Sequence, residues 1–392
     1  MVSVNSIGVP QEVAREPKEQ DHGLRICMPT ARRITKKAYQ CSLYEAQDVL
    51  AGLRGVDLLH IEPERRFRFQ FPWHKRLTYH DISGQLVFRN PGLRKITLSQ
   101  DYDVFIAVCQ SHGELLYLNA IRGWEDHCKT SVCWLDEMWA AYLPVMKHWL
   151  PALRKFDHVF IGNTGSIALL SEMLGKQVRY IPGASDTLRF TPYPRQAARV
   201  IDVYSIGRRS EGIHRALLDA SASKDLFYIY DTIPAIADME PFDHQKHRDS
   251  VANLAKRSRY FLVAPGKVNL PGETLGQSEL GHRYFEGASA GAVMLGQVPE
   301  SAAYAELFPW PDAVVPIRTD GSDTMETIAA LDADPQRFQA ISRKNAVEAL
   351  LRHDWIHRWK EILRCAGLPP TPEMLARELR LRELANAAMH AN

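Results

Sequence analysis

Short apolar runs alternate with amphipathic stretches along the first half of the chain. Residues 24–28, 56–61 and 103–109 each predict a buried strand, and residues 40–54 have the spacing of apolar positions that is typical of a helix. A strand, a helix and a second strand in succession favour a parallel sheet. The pattern therefore predicts a Rossmann-like α/β unit in this half.

The same alternation starts again near residue 200. Residues 200–207, 226–230 and 260–267 predict three more strands, and the proline-containing residues 187–198 predict a linker between two α/β units. After a last predicted strand at residues 313–317, only helical patterns remain. We therefore expect two α/β units followed by helices.

Composition places the chain among ordinary globular proteins. Of its 392 residues 45% are hydrophobic and 24% charged, and the formal net charge is +2. A nearly balanced charge argues against a dedicated nucleic-acid binder, although it leaves room for a local basic patch. The six cysteines lack the close pairs of a zinc framework, so we expect them to be reduced.

The sequence shows neither a signal peptide nor a membrane-spanning segment, and this predicts the location of the protein. The first 23 residues are polar and carry no apolar segment of a signal peptide. No apolar run approaches the ~20 residues that a membrane-spanning helix needs. We expect a cytoplasmic protein, at most peripherally associated with a membrane.

Three stretches carry polar groups that can bind ligands. Residues 110–113 follow a predicted buried strand, and ligands of open α/β sheets bind at such ends. Residues 162–166 open a predicted helix, whose backbone amides attract anions. Residues 62–94 look irregular and interleave aromatic and basic residues, which can bind sugars, phosphates or nucleic acid. An amphipathic hairpin that covers apolar surface is the alternative for this last stretch.

The most informative stretch is residues 279–297, which predict a short helix followed by a buried strand. Small residues crowd positions 287–292, and small side chains let a ligand or a backbone approach closely. Arg283 and Glu286 share one face of the predicted helix. A carboxylate at that position can hold the two hydroxyls of a ribose, or it can simply pair with Arg283 on a solvated face.

Residues 283–292, Arg-Tyr-Phe-Glu-Gly-Ala-Ser-Ala-Gly-Ala, resemble the R-x-F-E-x-x-A-x-G-A donor motif of GT-B glycosyltransferases, in particular the CgeB-like members of the group 1 families. Residues 178–186 and 353–359 resemble two further elements of these families. The resemblance implies an α/β GT-B fold, in which two Rossmann-like domains face a central cleft and C-terminal helices cross back. It implies an acceptor domain over residues 1–190, a nucleotide-sugar donor domain over residues 198–350, and helices over residues 351–392 that pack on the first domain.

The resemblance also implies roles for individual residues. Asp136 would face the transferred sugar, Arg208 would clamp the donor diphosphate, and Lys267 would reach phosphate; these three are the catalytic candidates. For Asp136, capping of the next helix is an equal alternative. The residues implied to bind the nucleotide-sugar are Gly207, Arg208, His214, Arg283, Glu286, Gly287, Ala288 and Ser289.

Two departures from the family pattern affect these roles. His214 stands where the family has a lysine. Ser278 stands where the first glutamate of the family's E-x7-E motif is expected, and Glu279 is one residue away. At the lysine position, either His214 or the adjacent Arg215 would substitute, or the diphosphate clamp would be weaker. The missing glutamate puts the contacts to the sugar hydroxyls in question and leaves the ribose role of Glu286 intact.

The implied activity is transfer of a hexose-type sugar from a nucleotide-sugar to a glycan, a lipid-linked glycan or a small molecule. The resemblance implies retention of configuration, no metal and no cofactor beyond the donor substrate. We expect no stable nucleic-acid partner. The alternatives are a catalytically silent sugar-nucleotide binding protein and a glycosyltransferase acting on nucleic acid through residues 62–94. A nicotinamide dehydrogenase is disfavoured because neither half has G-x-G-x-x-G after a strand.

Overall fold

Parallel strands form the frame of the molecule. The structure is a computed structural model and describes residues 23–78, 80, 84–223, 225–232 and 243–391. Its strands are β1 (Ile26–Thr30), β2 (Val56–His60), β3 (Ile96–Thr97), β4 (Tyr102–Cys109), β5 (Ile121–Arg122), β6 (Cys128–Leu135), β7 (His158–Ile161), β8 (Val178–Tyr180), β9 (Ile201–Ser205), β10 (Tyr228–Tyr230), β11 (Ser258–Val263), β12 (Val293–Gly296) and β13 (Val314–Pro316).

The strands pair into two large sheets and one short pair. The first sheet has the order β2-β1-β4-β6-β7-β8, the second has the order β10-β9-β11-β12-β13, and β3 pairs with β5. Every strand pair in these sheets is parallel. The two predicted α/β units are confirmed as two parallel sheets, joined by the predicted linker between β8 and β9.

Helices cover both sheets. The α-helices are α1 (Cys41–Ala51), α2 (Phe67–Thr78), α3 (Trp124–His127), α4 (Leu150–Arg154), α5 (Ile167–Leu174), α6 (Thr187–Phe190), α7 (Glu211–Ala222), α8 (His244–Lys256), α9 (Pro271–Thr274), α10 (His282–Ser289), α11 (Ala302–Leu307), α12 (Thr324–Asp332), α13 (Pro335–Arg352), α14 (Trp355–Cys365) and α15 (Pro372–Met389). The 3-10 helices span Ala38–Gln40, Leu86–Phe88, His112–Ala120, Ala140–His148 and Thr164–Ser166. In the described part of the chain, no helix has both the length and the apolar character needed to cross a membrane.

The strands were predictable because covered parallel strands are apolar on both faces. The central strand β4 has six buried residues among its eight, as expected for a parallel strand with helices on either side. One core cluster lies on each face of each sheet. The carboxyl ends of the strands, where the polar loops begin, are left for ligand contacts.

The C-terminal helices return to the first sheet. Trp355 and Trp359 of α14 are fully buried, and their rings lie 5.8 and 5.6 Å from the ring of Trp134 in β6. The Trp359 indole also donates a 2.9 Å hydrogen bond to the backbone oxygen of Ala46 in α1. Burial of these large aromatic surfaces ties the end of the chain to the first sheet. The predicted return of C-terminal helices to the first sheet is confirmed.

The stretch 62–94 is more ordered than the sequence suggested. Its centre is a twelve-residue helix, α2, rather than an irregular segment or a hairpin. Pro72 lies inside this helix and removes one backbone donor. Apolar residues on both faces hide the helical period, which is why the sequence pattern did not indicate a helix.

Candidate functional site

A cleft of about 630 Å³ lies between the carboxyl ends of the two sheets. Loops after β4 and β6 form its first wall, and loops after β9 and β11, with the start of α10, form its second. Parallel α/β sheets bind ligands at this edge. The residues of the first wall include Gln110, Ser111, His112, Glu137 and Tyr142, and those of the second wall include Gly207, Arg208, Arg248, Lys267, Gly281, His282 and Arg283.

Arg208 is the exposed cation of the second wall. It follows the positive-φ residue Gly207, whose amide donates to both carboxylate oxygens of Asp231 at 3.1 Å. Glycine tolerates this backbone conformation, so the turn after β9 aims the next side chain at the cleft. Within the residues that the structure describes, Arg208 forms no hydrogen bond or ion pair, and its guanidinium is free to meet a ligand.

Lys267 also lines the cleft, but its ammonium is occupied. Its Nζ donates to the Tyr142 hydroxyl at 2.6 Å and to the Glu273 carboxylate at 2.8 Å. Burial alone would lower the pKa of Lys267, but the bonds to Glu273 and Tyr142 raise it, so the side chain stays charged. Lys267 therefore links the two walls, and a phosphate would have to compete with Glu273 for it.

Four charged side chains form a buried chain behind the second wall, which we call the charge relay: Glu45, Arg248, Glu286 and Arg283. Arg248 donates to Glu45 at 2.8 and 3.2 Å and to Glu286 at 2.6 Å. Arg283 donates to the other oxygen of Glu286. Glu45 belongs to α1 and the other three to α8 and α10, so the relay connects elements of both sheets. Buried carboxylates of this kind require paired cations.

Glu286 lies at the inner side of this relay and does not line the cleft. Its side chain is fully buried, and both of its oxygens accept hydrogen bonds from arginines that do line the cleft. Burial would raise its pKa, but Arg248 and then Arg283 lower the pKa to about 2. The carboxylate is ionised and engaged, so a ribose contact at Glu286 stays a prediction that needs one arginine to move aside.

The small residues 287–289 do not approach the cleft, contrary to what their size suggested. A methyl group added at Gly287 would lie 2.9 Å from Met294 Sδ and from Phe261 Cδ1. Ser289 is buried, and its hydroxyl lies 2.7 Å from that of Ser185. Gly287 thus lets the last turn of α10 pack closely against β11 and β12, Ala288 and Ser289 are buried, and none of the three lines the cleft.

The first turn of α10, rather than its last, faces the cleft. Its N-cap is Gly281, which provides no capping side chain, and Gly281, His282 and Arg283 all line the cavity. The first amides of a helix have no partner within the helix and favour negative charge. In α10, the amides that can attract a phosphate are therefore those near residue 282, and not those beside the small residues 287–289.

His214 does not reach the cleft either. It lies on α7, and its Nδ1 is 2.9 Å from the Tyr228 hydroxyl. Its ring also packs edge-on against Tyr230, with ring centroids 4.8 Å apart. Burial and then Arg209 lower the pKa of His214. A neutral imidazole that packs on β10 does not replace the family's phosphate-binding lysine.

Asp136 pairs with a histidine from the opposite wall. Its Oδ2 accepts from the Gln110 amide at 3.0 Å and lies 3.2 Å from His282 Nε2. Burial favours neutral His282, but the Asp136 carboxylate raises the pKa of this histidine. Asp136 itself is not among the residues that line the cavity. The carboxylate holds His282 in place rather than facing the cleft directly.

Glu137, the next residue, does face the cleft. Its side chain lines the cavity, and its Oε2 lies 3.8 Å from Lys267 Nζ. Burial and then Asp136 raise the pKa of Glu137. Beside it, burial and then Lys75 lower the pKa of His112 to about 4, so that ring is neutral near pH 7. The first wall thus presents one carboxylate and one neutral imidazole.

Glu279 has a structural role that the sequence did not indicate. Its carboxylate accepts from the backbone amides of Thr164 and Gly165, both at 2.9 Å. The sequence predicted that the amides of residues 162–166 attract an anion. In the structure, the anion that they bind is the carboxylate of Glu279. Glu279 therefore links the segment before α10 to the segment after β7 of the first sheet, and its carboxylate is not free to replace the missing family glutamate at position 278.

Comparisons with known proteins agree with this architecture. Residues 215–364 match the family model described as "Glycosyl transferase-like". This part of the chain is a glycosyl transferase-like domain. It contains the second wall's helix α10 and three of the four residues of the charge relay. No curated protein matches the sequence.

Solved structures resemble 88% of this chain, which extends well beyond the glycosyl transferase-like domain. A UDP-forming trehalose-phosphate synthase from Burkholderia xenovorans aligns with a TM-score of 0.55 at 13% identity, over 88% of this chain and 100% of that one. An alpha-glucosyltransferase (AGT) in complex with UDP aligns with a TM-score of 0.53 at 11% identity, with the same coverage. Anabaena HepE in complex with UDP-glucose aligns with a TM-score of 0.52 at 10% identity, over 88% of this chain and 100% of that one. At these identities the likeness shows the fold, and the predicted GT-B fold is confirmed.

Sequence reasoning missed Glu45 and Arg248 of the charge relay. They lie 203 residues apart in the chain and meet only because α8 packs on α1. The only sequence signal was the basic character of the stretch that forms α8, which starts just after residue 243. Spacing along one helix cannot reveal a partner on another, so the pair became visible only in three dimensions.

Proposed function

We propose that the protein binds a nucleotide-sugar in the cleft and transfers its sugar to an acceptor that enters along the first wall. The proposal is supported by the GT-B fold, by the glycosyl transferase-like domain and by the cations of the second wall. The observation that carries it is Arg208, which projects into the cleft without a partner in the described residues. A guanidinium binds phosphate oxygens in a bidentate manner.

The donor diphosphate would lie between Arg208 and the first turn of α10. Arg283 lies beside Gly207, with its guanidinium nitrogens 3.6–3.7 Å from a methyl group added at that glycine. Two arginines and the amides near residue 282 would stabilise the negative charge that develops on the leaving diphosphate. In this proposal Arg208 and Arg283 bind phosphate, and Glu286 keeps Arg283 and Arg248 oriented.

The remaining predicted residues take indirect roles in the proposal. Asp136 holds His282 against the cleft, since its carboxylate accepts from Gln110 and pairs with the imidazole. Lys267 fixes the loop that contains Glu273 against Tyr142. Glu137 is the carboxylate that an acceptor hydroxyl would meet on the first wall. A ribose contact at Glu286 requires it to exchange a bond to Arg248 or Arg283 for one to the donor. A phosphate contact at Lys267 likewise requires it to exchange its bond to Glu273 or Tyr142.

We infer that a hexose is transferred with retention of configuration and without a metal, as the sequence resemblance implies. The proposed location is the cytoplasm, as the sequence analysis predicts. UDP is bound in the alpha-glucosyltransferase structure and UDP-glucose in the HepE structure, so a UDP-hexose is the first donor to test.

The experiment is a donor screen followed by turnover. Purified protein is heated with nucleoside diphosphates and their sugars, and a ligand of the native state is expected to raise the melting temperature. The stabilising nucleotide-sugar is then incubated with and without EDTA, and NMR records the released sugar and its anomeric form. We expect slow donor hydrolysis, retention and no effect of EDTA. Loss of turnover in EDTA, restored by Mg²⁺, would show that a metal is needed.

A catalytically silent binding protein is the second candidate. It is favoured by Ser278, which lacks the carboxylate of the family motif, and by Glu279, whose carboxylate is engaged with Thr164 and Gly165. The same screen separates the two functions. A silent protein would be stabilised by a nucleotide-sugar and would release no sugar during prolonged incubation.

A further inference from the structure

Helix α2 has two apolar faces, and only one of them is used inside the molecule. The inner face stacks Phe67 on Phe71, with ring centroids 4.8 Å apart, and Phe71 contacts the buried Tyr117 at 5.5 Å. The outer face carries Phe69, Trp73 and Leu77, whose exposed fractions are 72%, 67% and 52%. These three residues are spaced four apart and form one stripe along the helix, which we call the outer stripe.

The residues beside the outer stripe are strongly basic. Residues 65–78 contain four arginines and one lysine and no acidic residue. Arg68, Lys75 and Arg76 are exposed and form no ion pair within the described residues. At about 100° per residue, Arg68 and Arg76 lie about 90° to one side of the line through Phe69, Trp73 and Leu77, whereas Lys75 lies on the opposite face. The helix therefore presents an apolar stripe with a flank of unpaired cations.

We propose that α2 is a membrane-binding element that lies in the surface of a bilayer containing anionic lipid. The outer stripe would enter the boundary between headgroups and acyl chains, and the basic flank would contact lipid phosphates. An apolar stripe beside basic residues, with an aromatic ring near its centre, is the arrangement of interfacial helices. Charge complementarity selects anionic lipid as the partner.

The shape of the surface favours a bilayer over a nucleic acid. Binding of single strands uses aromatic rings that bases can stack on, within a basic groove that follows the backbone. The outer stripe instead lies on a convex helix, one of its three members is a leucine, and Arg68 and Arg76 lie to one side of it. A bilayer accepts all three apolar side chains at once, whereas stacked bases would leave Leu77 unused.

The position of α2 connects the proposal with the cleft. A methyl group added at Gly113 would lie 3.7 Å from Lys75 Cε, and the neighbouring His112 lines the cleft. A bilayer that holds α2 would lie close to the first wall, where the acceptor is expected. The inference that the acceptor is lipid-linked therefore rests on the proposed function. Binding of the protein to vesicles does not depend on that function.

The test is flotation of the full chain with vesicles of phosphatidylcholine alone or mixed with phosphatidylglycerol, without any nucleotide. We expect at least about tenfold more bound protein on the mixed vesicles, and less at high salt, because the flank contributes electrostatic attraction. The variant Phe69→Ser/Trp73→Ser/Leu77→Ser should lose binding while it keeps its melting temperature. The control Leu375→Ser/Leu379→Ser changes two leucines of α15 that are 50% and 60% exposed, and it should bind as the wild type does.

A second variant, Arg68→Gln/Arg76→Gln, leaves the outer stripe intact and should lose the preference for phosphatidylglycerol. The proposal is overturned if the wild type floats with neither kind of vesicle, or if both α2 variants bind like the wild type. Retention of polynucleotide with a steep salt dependence, in the absence of vesicle binding, would overturn it in favour of a nucleic-acid surface. Donor hydrolysis measured in parallel shows whether the proposed function survives either outcome.

Discussion

Replacing Arg248 with methionine is expected to lower the free energy of unfolding by about 3–5 kcal/mol, the usual cost of removing one partner of a buried ion pair. Arg248 is 1% exposed, and it is the only link between Glu45 and Glu286 within the charge relay. Methionine fills much of the same space, so the decrease in the free energy of unfolding measures the loss of the positive charge and not the loss of side-chain volume. Urea denaturation followed by circular dichroism measures it.

The control for Arg248→Met is Arg364→Met. Arg364 pairs with Glu361 at 2.6 Å, but its side chain is 71% exposed. Exposed pairs contribute about 0–1 kcal/mol, so this variant should remain close to the wild type. Equal free energies of unfolding for Arg248→Met and Arg364→Met would show that the charge relay does not stabilise the fold.

Replacing Glu286 with glutamine is expected to weaken the binding of a nucleoside diphosphate and of inorganic pyrophosphate alike, each by about 10–100-fold, the equivalent of one charge-assisted hydrogen bond. The reason is that Glu286 holds Arg248 and Arg283, which line the cleft, whereas Glu286 does not. Pyrophosphate has no ribose, so its binding reports whether Glu286 orients the arginines or contacts the ribose. Weaker binding of the nucleotide with unchanged binding of pyrophosphate would instead establish the ribose contact.

The same variant should change the acid sensitivity of the protein. Folding lowers the pKa of Glu286 from 4.5 to about 2, because the arginines outweigh burial. The ionised carboxylate therefore favours the folded state above about pH 4.5, and this contribution, on the order of 3 kcal/mol, disappears as the pH falls towards 2. In Glu286→Gln the unfolding free energy should be lower at pH 7 and flatter across that range. Parallel curves for the two proteins would contradict the assigned pKa.

The architecture was predictable because it depends on local patterns. Buried parallel strands are continuous apolar runs, and β4, β9 and β11 stand out in the sequence for that reason. Gly207, two residues after β9, also located Arg208 beside the cleft. These features depend on neighbours in the chain, which a sequence shows directly.

The rest of the site could not be predicted because it depends on contacts between distant elements. The size of Gly287 suggested an approaching ligand, but size alone does not distinguish a ligand from a packed side chain such as Met294. Glu279 stands one residue from the expected family glutamate, and the sequence does not show that its carboxylate accepts from the amides of Thr164 and Gly165. In each case the deciding partner lies on another part of the fold.

The central claim is that Arg208 binds the diphosphate of a nucleotide in the cleft. Isothermal titration of nucleoside diphosphates into the wild type, Arg208→Ala and Arg215→Ala tests it most directly. Arg215 is a matched control on α7, since it is exposed and pairs only with Glu211, at 3.4 Å, among the described residues. We expect at least one nucleoside diphosphate to bind the wild type and Arg215→Ala equally, and to bind Arg208→Ala about 10–100-fold more weakly. Absence of binding to the wild type, or equal affinity for Arg208→Ala, would contradict the account.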